Sequence, residues 1–334
     1  MSRRESPPRT TPIAFDHLHP TSAPIFIHGI LPRSGTNFLW DLLLVHPDCA
    51  PAVEPVREDL FLEHCHHLTA FIADVQAAWD PMWGEFSAEL PRRLHAALGE
   101  GLLSFLRYDR DRRLVTKSPS VRHLDRFFDF FPTARLLVLV RDGRSVTQSC
   151  MDTFGWPFER AARAWVDAAA EIDRFRDARP DPTDQWRLVR YEDLVDDLDR
   201  QLPELLRFLG LDLATYDLDA ARALPVRGSS AFFGRGRSSV HWDPVDKDSR
   251  FAPTQRWHHW NRDQLERFAW IAGTHLRSFG YDAEPMPSAV LTTRARHRLL
   301  DLRWATRQAV RRARTGLGAA SQPLRRRLAH ARQD

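Results

Sequence analysis

Apolar residues along this chain fall into two patterns. Short unbroken runs, Ile25-Phe26-Ile27 and Leu136-Leu137-Val138-Leu139-Val140, show no alternation with polar residues. That pattern fits strands buried on both faces of a parallel sheet. "RRLVTKSPS" and "WRLVRYEDLVDD" each read as a further strand running into a polar turn. Between them lie stretches with apolar residues three and four apart, the spacing of amphipathic helices. Phe38, Leu39, Leu42 and Leu43 share one side of the first. Others are expected over 56–79, 91–108 and "VRHLDRFFDFFP", then from near Gly143 and through "FERAARAWVDAAAEIDRFRD". In "NRDQLERFAWIAGTHLRSFGYD", Asn261 and Gln264 stand in capping-box positions. Leu265, Phe268, Ala269, Ala272, Leu276 and Phe279 make a buried stripe there, and Gly280 supplies a left-handed stop.

Strand–loop–helix repetition with buried strands predicts an α/β fold. The expected form is a three-layer αβα sandwich around a mostly parallel central sheet, P-loop-like in outline. Ligands in such folds bind beyond the carboxyl ends of the strands, and Arg33, Lys117, Arg141 and Tyr191 fall there. Residues 1–23, polar and proline-bearing, read as a mobile arm, 24–288 as the folded domain and 289–334 as a basic extension. Residues 225–256 are rich in Gly, Ser and Arg with little periodicity. A loop of that length is expected to be functional, here a flexible cover over the site.

Charge changes this picture at one end only. Net charge is +4, yet residues 292–334 hold twelve Arg against two Asp, so the rest of the chain is net acidic. Leu299, Leu302, Trp304, Ala309 and Val310 lie among those arginines. A basic amphipathic helix of this kind suits an anionic membrane surface. Nucleic acid is not expected, because no aromatic-basic module accompanies the charge. Cys49, Cys65 and Cys150 are scattered and odd in number, which points to a reducing compartment rather than a disulfide framework. The N-terminal segment lacks the apolar core of a signal peptide, and no apolar run approaches the ~20 residues of a spanning helix. A cytoplasmic protein, with membrane contact through its tail, is the expectation. Only Lys117 and Lys247 are lysines among 48 basic residues, so each marks a place where arginine would not serve.

"PIFIHGILPRSGTNFLWDLL", residues 24–43, carries a strand through a turn into a helix N-terminus, which makes an anion site. Gly35 allows close approach of the backbone, and Ser34 and Thr36 add hydroxyl donors. The nucleotide-loop pattern GxxxxGK[ST] is not met, since Thr36 holds the lysine position and Gly29 to Gly35 is one residue too long. A second site lies in "LVLVRDGRSVTQS": a buried strand delivers Arg141, and an anion in the strand–helix crevice would meet both Arg141 and Ser149. The ligand implied is a nucleotide with phosphates at two separate places.

Here the motifs resemble a known family. "PRSGTNFL" is similar to the 5′-phosphosulfate loop of sulfotransferases that use 3′-phosphoadenosine-5′-phosphosulfate (PAPS), and "VRDGRSVTQS" to their 3′-phosphate segment. "YEDL" and the later "RW" also sit where the family has like elements. The resemblance covers roughly 24–285, with motif spacing nearest to the tyrosylprotein sulfotransferase branch and its bacterial relatives. It implies a PAPS-dependent transfer of a sulfuryl group to a hydroxyl, or less readily an amine, with no metal. It implies that the amides of Ser34, Gly35, Thr36 and Asn37 hold the 5′-phosphate and that Arg141 and Ser149 hold the 3′-phosphate. Arg33 and Lys117 would neutralise the transferring group, Tyr191 and Arg256 would contact the nucleotide, and Glu54 would be the base.

The physics agrees with the family. In-line transfer of a sulfuryl group rests on positioning and electrostatic stabilisation, and its modest charge lets cationic side chains replace Mg²⁺. Glu58, Asp59 and His28 stand as alternative bases to Glu54. Arg235 and Arg237 in "GRGR" are candidates to reach the 3′-phosphate across the cover, and Phe232, Phe233, Trp242, Trp257 and Trp260 to wall the acceptor or stack on adenine. "HCHH", residues 64–67, is set aside as a metal site because adjacent helical positions face different directions. Two alternatives compete: a kinase-like phosphotransferase using ATP and Mg²⁺, with Asp142 after the buried strand as metal ligand, and a non-catalytic nucleotide-binding protein.

Overall fold

The computed structural model describes residues 23–83, 89–107, 109, 111–179, 185–225, 227, 253–282 and 291–330, with backbone alone for 80–83 and 311–330. Arg235 and Arg237, Phe232, Phe233 and Trp242, and residues 1–22 lie outside the described residues.

Five strands form one parallel sheet: β1 (Ile25–Gly29), β2 (Cys49–Pro51), β3 (Arg113–Ser118), β4 (Arg135–Val140) and β5 (Trp186–Arg190). Their order is β2-β3-β1-β4-β5. The unbroken apolar runs occupy the centre, as their composition requires: β1 is buried throughout, and β4 from its second residue on. β5, at the edge, is only partly covered. Pro51 ends the opposite edge strand, where a missing backbone donor is harmless. The chain leaves β1 toward β3 on one side and returns to β4 on the other, so the crevice past the end of β1 is a topological switch point.

Helices cover both faces. α1 (Thr36–Leu44) follows β1. Its Leu39, Leu42 and Leu43 join Ile25, Ile27, Val115 and Leu137 in a core shared with Leu202, Leu205 and Leu206 of a later helix (Leu198–Leu209). On the other face Phe26 meets Phe127 edge-on, ring centroids 5.1 Å apart. The long helices α2 (Phe61–Trp83) and α3 (Glu89–Leu106) precede β3, and a short α4 (Phe127–Phe130) precedes β4. α5 (Gly143–Phe154) and α6 (Phe158–Ala178) connect β4 to β5, and α7 (Tyr191–Asp196) leaves β5 directly. α8 is the Leu198–Leu209 helix, followed by α9 (Leu218–Arg222).

Two sequence expectations shift. The helix expected from 56 begins at Phe61, because the Asp59 carboxylate accepts the Phe61 N–H and starts the helix there. "VRHLDRFFDFFP" gives only a tight turn and the four-residue α4, with His123 in the left-handed region at φ 59°.

The chain divides into two compact units. Residues 260–277 and 282–334 form the second, and all other residues the first. In the second, α10 (Arg262–Ser278) has the expected reciprocal cap: Asn261 Oδ1 accepts the Gln264 N–H at 2.9 Å and Gln264 Oε1 accepts the Asn261 N–H at 3.1 Å. Arg267 bonds Asp301 of α11 (Leu291–His330) at 2.8 Å, and Trp270 donates to the same carboxylate at 2.9 Å. Gly280 is left-handed, as expected. No described helix is long and apolar enough to cross a membrane.

Candidate active site

The loop between β1 and α1 is held tightly. Ile30 N–H bonds the Leu139 carbonyl of β4 at 2.9 Å, and Ser34 N–H bonds Leu31 at 3.2 Å. Arg33 and Gly35 both adopt left-handed backbone, φ 78° and 99°. A Cβ at Gly35 would collide with the Tyr191 ring, so glycine there serves both conformation and space. Ser34 is fully buried, and its Oγ has no hydrogen-bond partner among the described residues. A buried hydroxyl left in that state is held ready for a ligand oxygen. Thr36 and Asn37 open α1, whose first N–H groups lack intrahelical partners.

Four sequence candidates converge at the ends of β1, β4 and β5. Arg33 Nε donates to Ser149 Oγ at 3.1 Å, joining the first loop to α5 across 116 residues. The Arg141 guanidinium donates to the Arg33 carbonyl at 2.6 Å and to the Pro253 carbonyl at 2.5 Å, and lies over the Tyr191 ring at 4.5 Å. Arg256 joins them. Its guanidinium is brought down to about 10, by burial first and then by Arg141. Arg33 is also lowered to about 10, by burial and then by Arg256 and Arg141. Three guanidiniums are thus gathered where each raises the electrostatic cost of the next.

Segment 253–257 is docked on the start of α5. Ser145 Oγ donates to Thr254 at 3.1 Å, and Arg144 stacks over Trp257 at 3.9 Å. Trp257, one of the tryptophans expected to wall the acceptor or stack on adenine, stands next to Arg256 in sequence and packs here on the Arg144 guanidinium.

Lys117 ends β3, buried to 2 % exposure beside the Trp40 ring at 5.8 Å. Burial lowers its pKa, and Glu58, 3.6 Å away, opposes the shift. Glu54 is exposed on the segment after β2. Of the alternative bases, His28 is 1 % exposed with Nδ1 donating to the Ser120 carbonyl at 2.8 Å. Asp59 is buried and accepts from Thr116 Oγ1 at 2.8 Å. Asp59 also accepts the Phe61 N–H, so both its oxygens are used, whereas His28 Nε2 has no hydrogen-bond partner among the described residues. Glu58 keeps partial exposure.

Asp142 does not match the metal ligand of a phosphotransferase. Its side chain caps α5 through Arg144 N–H at 2.8 Å, and both oxygens are taken by the Arg144 guanidinium, the closest at 2.7 Å. His66 and His67 stack at 3.9 Å with His123 5.4 Å from His66, but no group of three possible ligands is arranged for a metal among the described residues.

The fold is an αβα sandwich of P-loop type, and its first loop carries no lysine. A family model described as "Sulfotransferase family" matches residues 24–215. The chain belongs to the sulfotransferase family: it is an enzyme that transfers a sulfuryl group. No curated protein sequence matches it. Among solved structures it is similar to a sulfotransferase domain from the Synechococcus PCC 7002 olefin synthase, with 22% identity, 79% of this chain and 97% of that chain covered, and TM-score 0.48. It is also similar to a sulfotransferase from Alicyclobacillus acidocaldarius, with 15% identity, 78% and 96% covered, and TM-score 0.41. A mouse sulfotransferase complexed with PAP gives 11% identity, 78% and 86% covered, and TM-score 0.43.

Proposed function

We propose that this sulfotransferase binds PAPS between the β1–α1 loop and the β4–α5 turn, with its catalytic domain spanning 24–288. The observation that carries the reading is the cluster of Arg33, Arg141 and Arg256, lowered or stacked as described, beside the orphan hydroxyl of Ser34. A ligand with phosphates at two ends relieves that repulsion. The amides of Ser34, Gly35, Thr36 and Asn37 take the 5′-phosphate at the start of α1. Arg141 and Ser149 take the 3′-phosphate. Tyr191 carries the Arg141 guanidinium on its ring, and Arg256 closes the nucleotide side. Arg235 and Arg237 belong to this reading as further 3′-phosphate ligands.

PAPS supplies the activated sulfuryl group. Arg33 and Lys117 stabilise the charge that gathers on the leaving oxygen in the transition state. Lys117 suits this role because a compact ammonium follows a moving oxygen more readily than a planar guanidinium. Glu54, exposed toward solvent, accepts the acceptor's proton. The ion pair of Glu58 with Lys117 favours a second reading in which Glu58 is the base: as Lys117 turns toward the leaving oxygen, Glu58 is released to take the proton.

PAPS offered with phenolic, alcoholic and saccharide acceptors, followed by PAP release, tests both readings. Glu54→Gln is expected to lower kcat about 100-fold, with PAP affinity changed less than about twofold. A neutral Glu54→Gln with the loss carried by Glu58→Gln establishes the second reading. No transfer to any acceptor class, with PAP bound no better than AMP, contradicts both.

We also propose a cytoplasmic enzyme that touches an anionic membrane surface through α11. Leu299 and Leu302 are exposed there among arginines, which supports that contact.

A further inference from the structure

Glu192 follows Tyr191 at the end of β5 and stands close to the anion site, an unfavourable place for a carboxylate. Burial raises its pKa, and Arg141 opposes the shift. Its two oxygens are both used. Oε1 accepts the Asp142 N–H at 3.0 Å, and Oε2 accepts the Tyr281 hydroxyl at 2.7 Å. The Asp142 N–H belongs to the peptide that joins Arg141 to the cap of α5. Tyr281 is held in turn, with the Arg190 guanidinium over its ring at 4.4 Å. Residues 190–192 therefore act as one device. Tyr191 supports the Arg141 guanidinium at its tip, Glu192 fixes the backbone at its root, and Arg190 pins the tyrosine that fixes Glu192.

We propose that Glu192, locked by Tyr281, is a positioning residue that sets Arg141 for the ribose 3′-phosphate. The proposal rests on the reading of Arg141 as the 3′-phosphate ligand. A negative charge beside an anion site opposes binding. Its presence there is explained by geometry: a carboxylate is the side chain that can accept from a peptide N–H and from a phenol at the same time. The consequence is selective. Arg141 touches the 5′-phosphate loop at the Arg33 carbonyl, ahead of the α1 N–H groups, so loss of the lock should weaken ligands bearing a 3′-phosphate far more than those without one.

Calorimetric titration of the full chain with PAP and with AMP, at fixed ionic strength, tests this. Wild type is expected to prefer PAP. Glu192→Ala should weaken PAP about tenfold and AMP less than about twofold. Glu192→Gln keeps an acceptor for the Asp142 N–H and should stay within about threefold of wild type for PAP. Tyr281→Phe, which removes only the hydroxyl and keeps the buried ring, should cost PAP about threefold and leave AMP alone. Wild-type PAP affinity in both Glu192→Ala and Tyr281→Phe overturns the proposal, as does an equal loss for the two ligands. If wild type itself binds PAP no better than AMP, the assignment of Arg141 fails and the proposal falls with it. A preserved wild-type preference that survives Glu192→Ala sinks the positioning role alone.

Discussion

At the scale of single residues the site is built from charges that the fold would be more stable without. Lys117 has its pKa lowered by burial, so its ammonium is disfavoured in the folded state relative to the unfolded one. That penalty is fully present below the lowered pKa and is lost progressively as pH rises from it toward the ordinary lysine value. Lys117→Met is therefore expected to raise Tm by about 3 °C at neutral pH, with the gain shrinking at alkaline pH, while abolishing transfer. Thermal melting across pH checks it, and a Tm that falls in the variant contradicts the account. Arg33, Arg141 and Tyr191 were legible because each follows a strand of the sheet, and Ser149, two turns into α5, was legible through the motif "VRDGRSVTQS". The role of Glu192 was not legible, since its partner Tyr281 is 89 residues away. Glu58 was visible only as one carboxylate among several, and the ion pair with Lys117 singles it out.

At the scale of elements, double burial made the strands easy to read. β1 and β4 are where the unbroken apolar runs lie, and the capping box of α10 formed as its residue types dictate. Helix starts were less legible where a tertiary contact decides them. Asp59 begins α2 because it is already fixed against Thr116 of β3. In the proposed reading the β1–α1 loop holds the 5′-phosphate, and its tolerance is narrow. Gly35→Ala places a methyl against Tyr191 in a left-handed backbone and is expected to lower PAP affinity more than about tenfold with a destabilisation of about 1–2 kcal/mol. Binding and melting on the same preparation check it. Unchanged PAP affinity would mean that the loop does not hold the nucleotide.

At the scale of the whole molecule, basic charge is gathered at two places: inside the nucleotide site and along the C-terminal segment. The second is tested by co-sedimentation with phosphatidylserine vesicles. Binding is expected at low salt, weakened by Leu302→Glu and by raised ionic strength. Equal recovery with neutral vesicles would remove the electrostatic part of the proposal. The first is the central claim. The most direct measurement is calorimetric titration with PAP, against ATP·Mg²⁺ and AMP, on wild type and Arg141→Ala. The account predicts micromolar binding of PAP, preferred over both competitors and reduced at least about tenfold in the variant. Preference for ATP·Mg²⁺, or PAP affinity indifferent to Arg141, would contradict it.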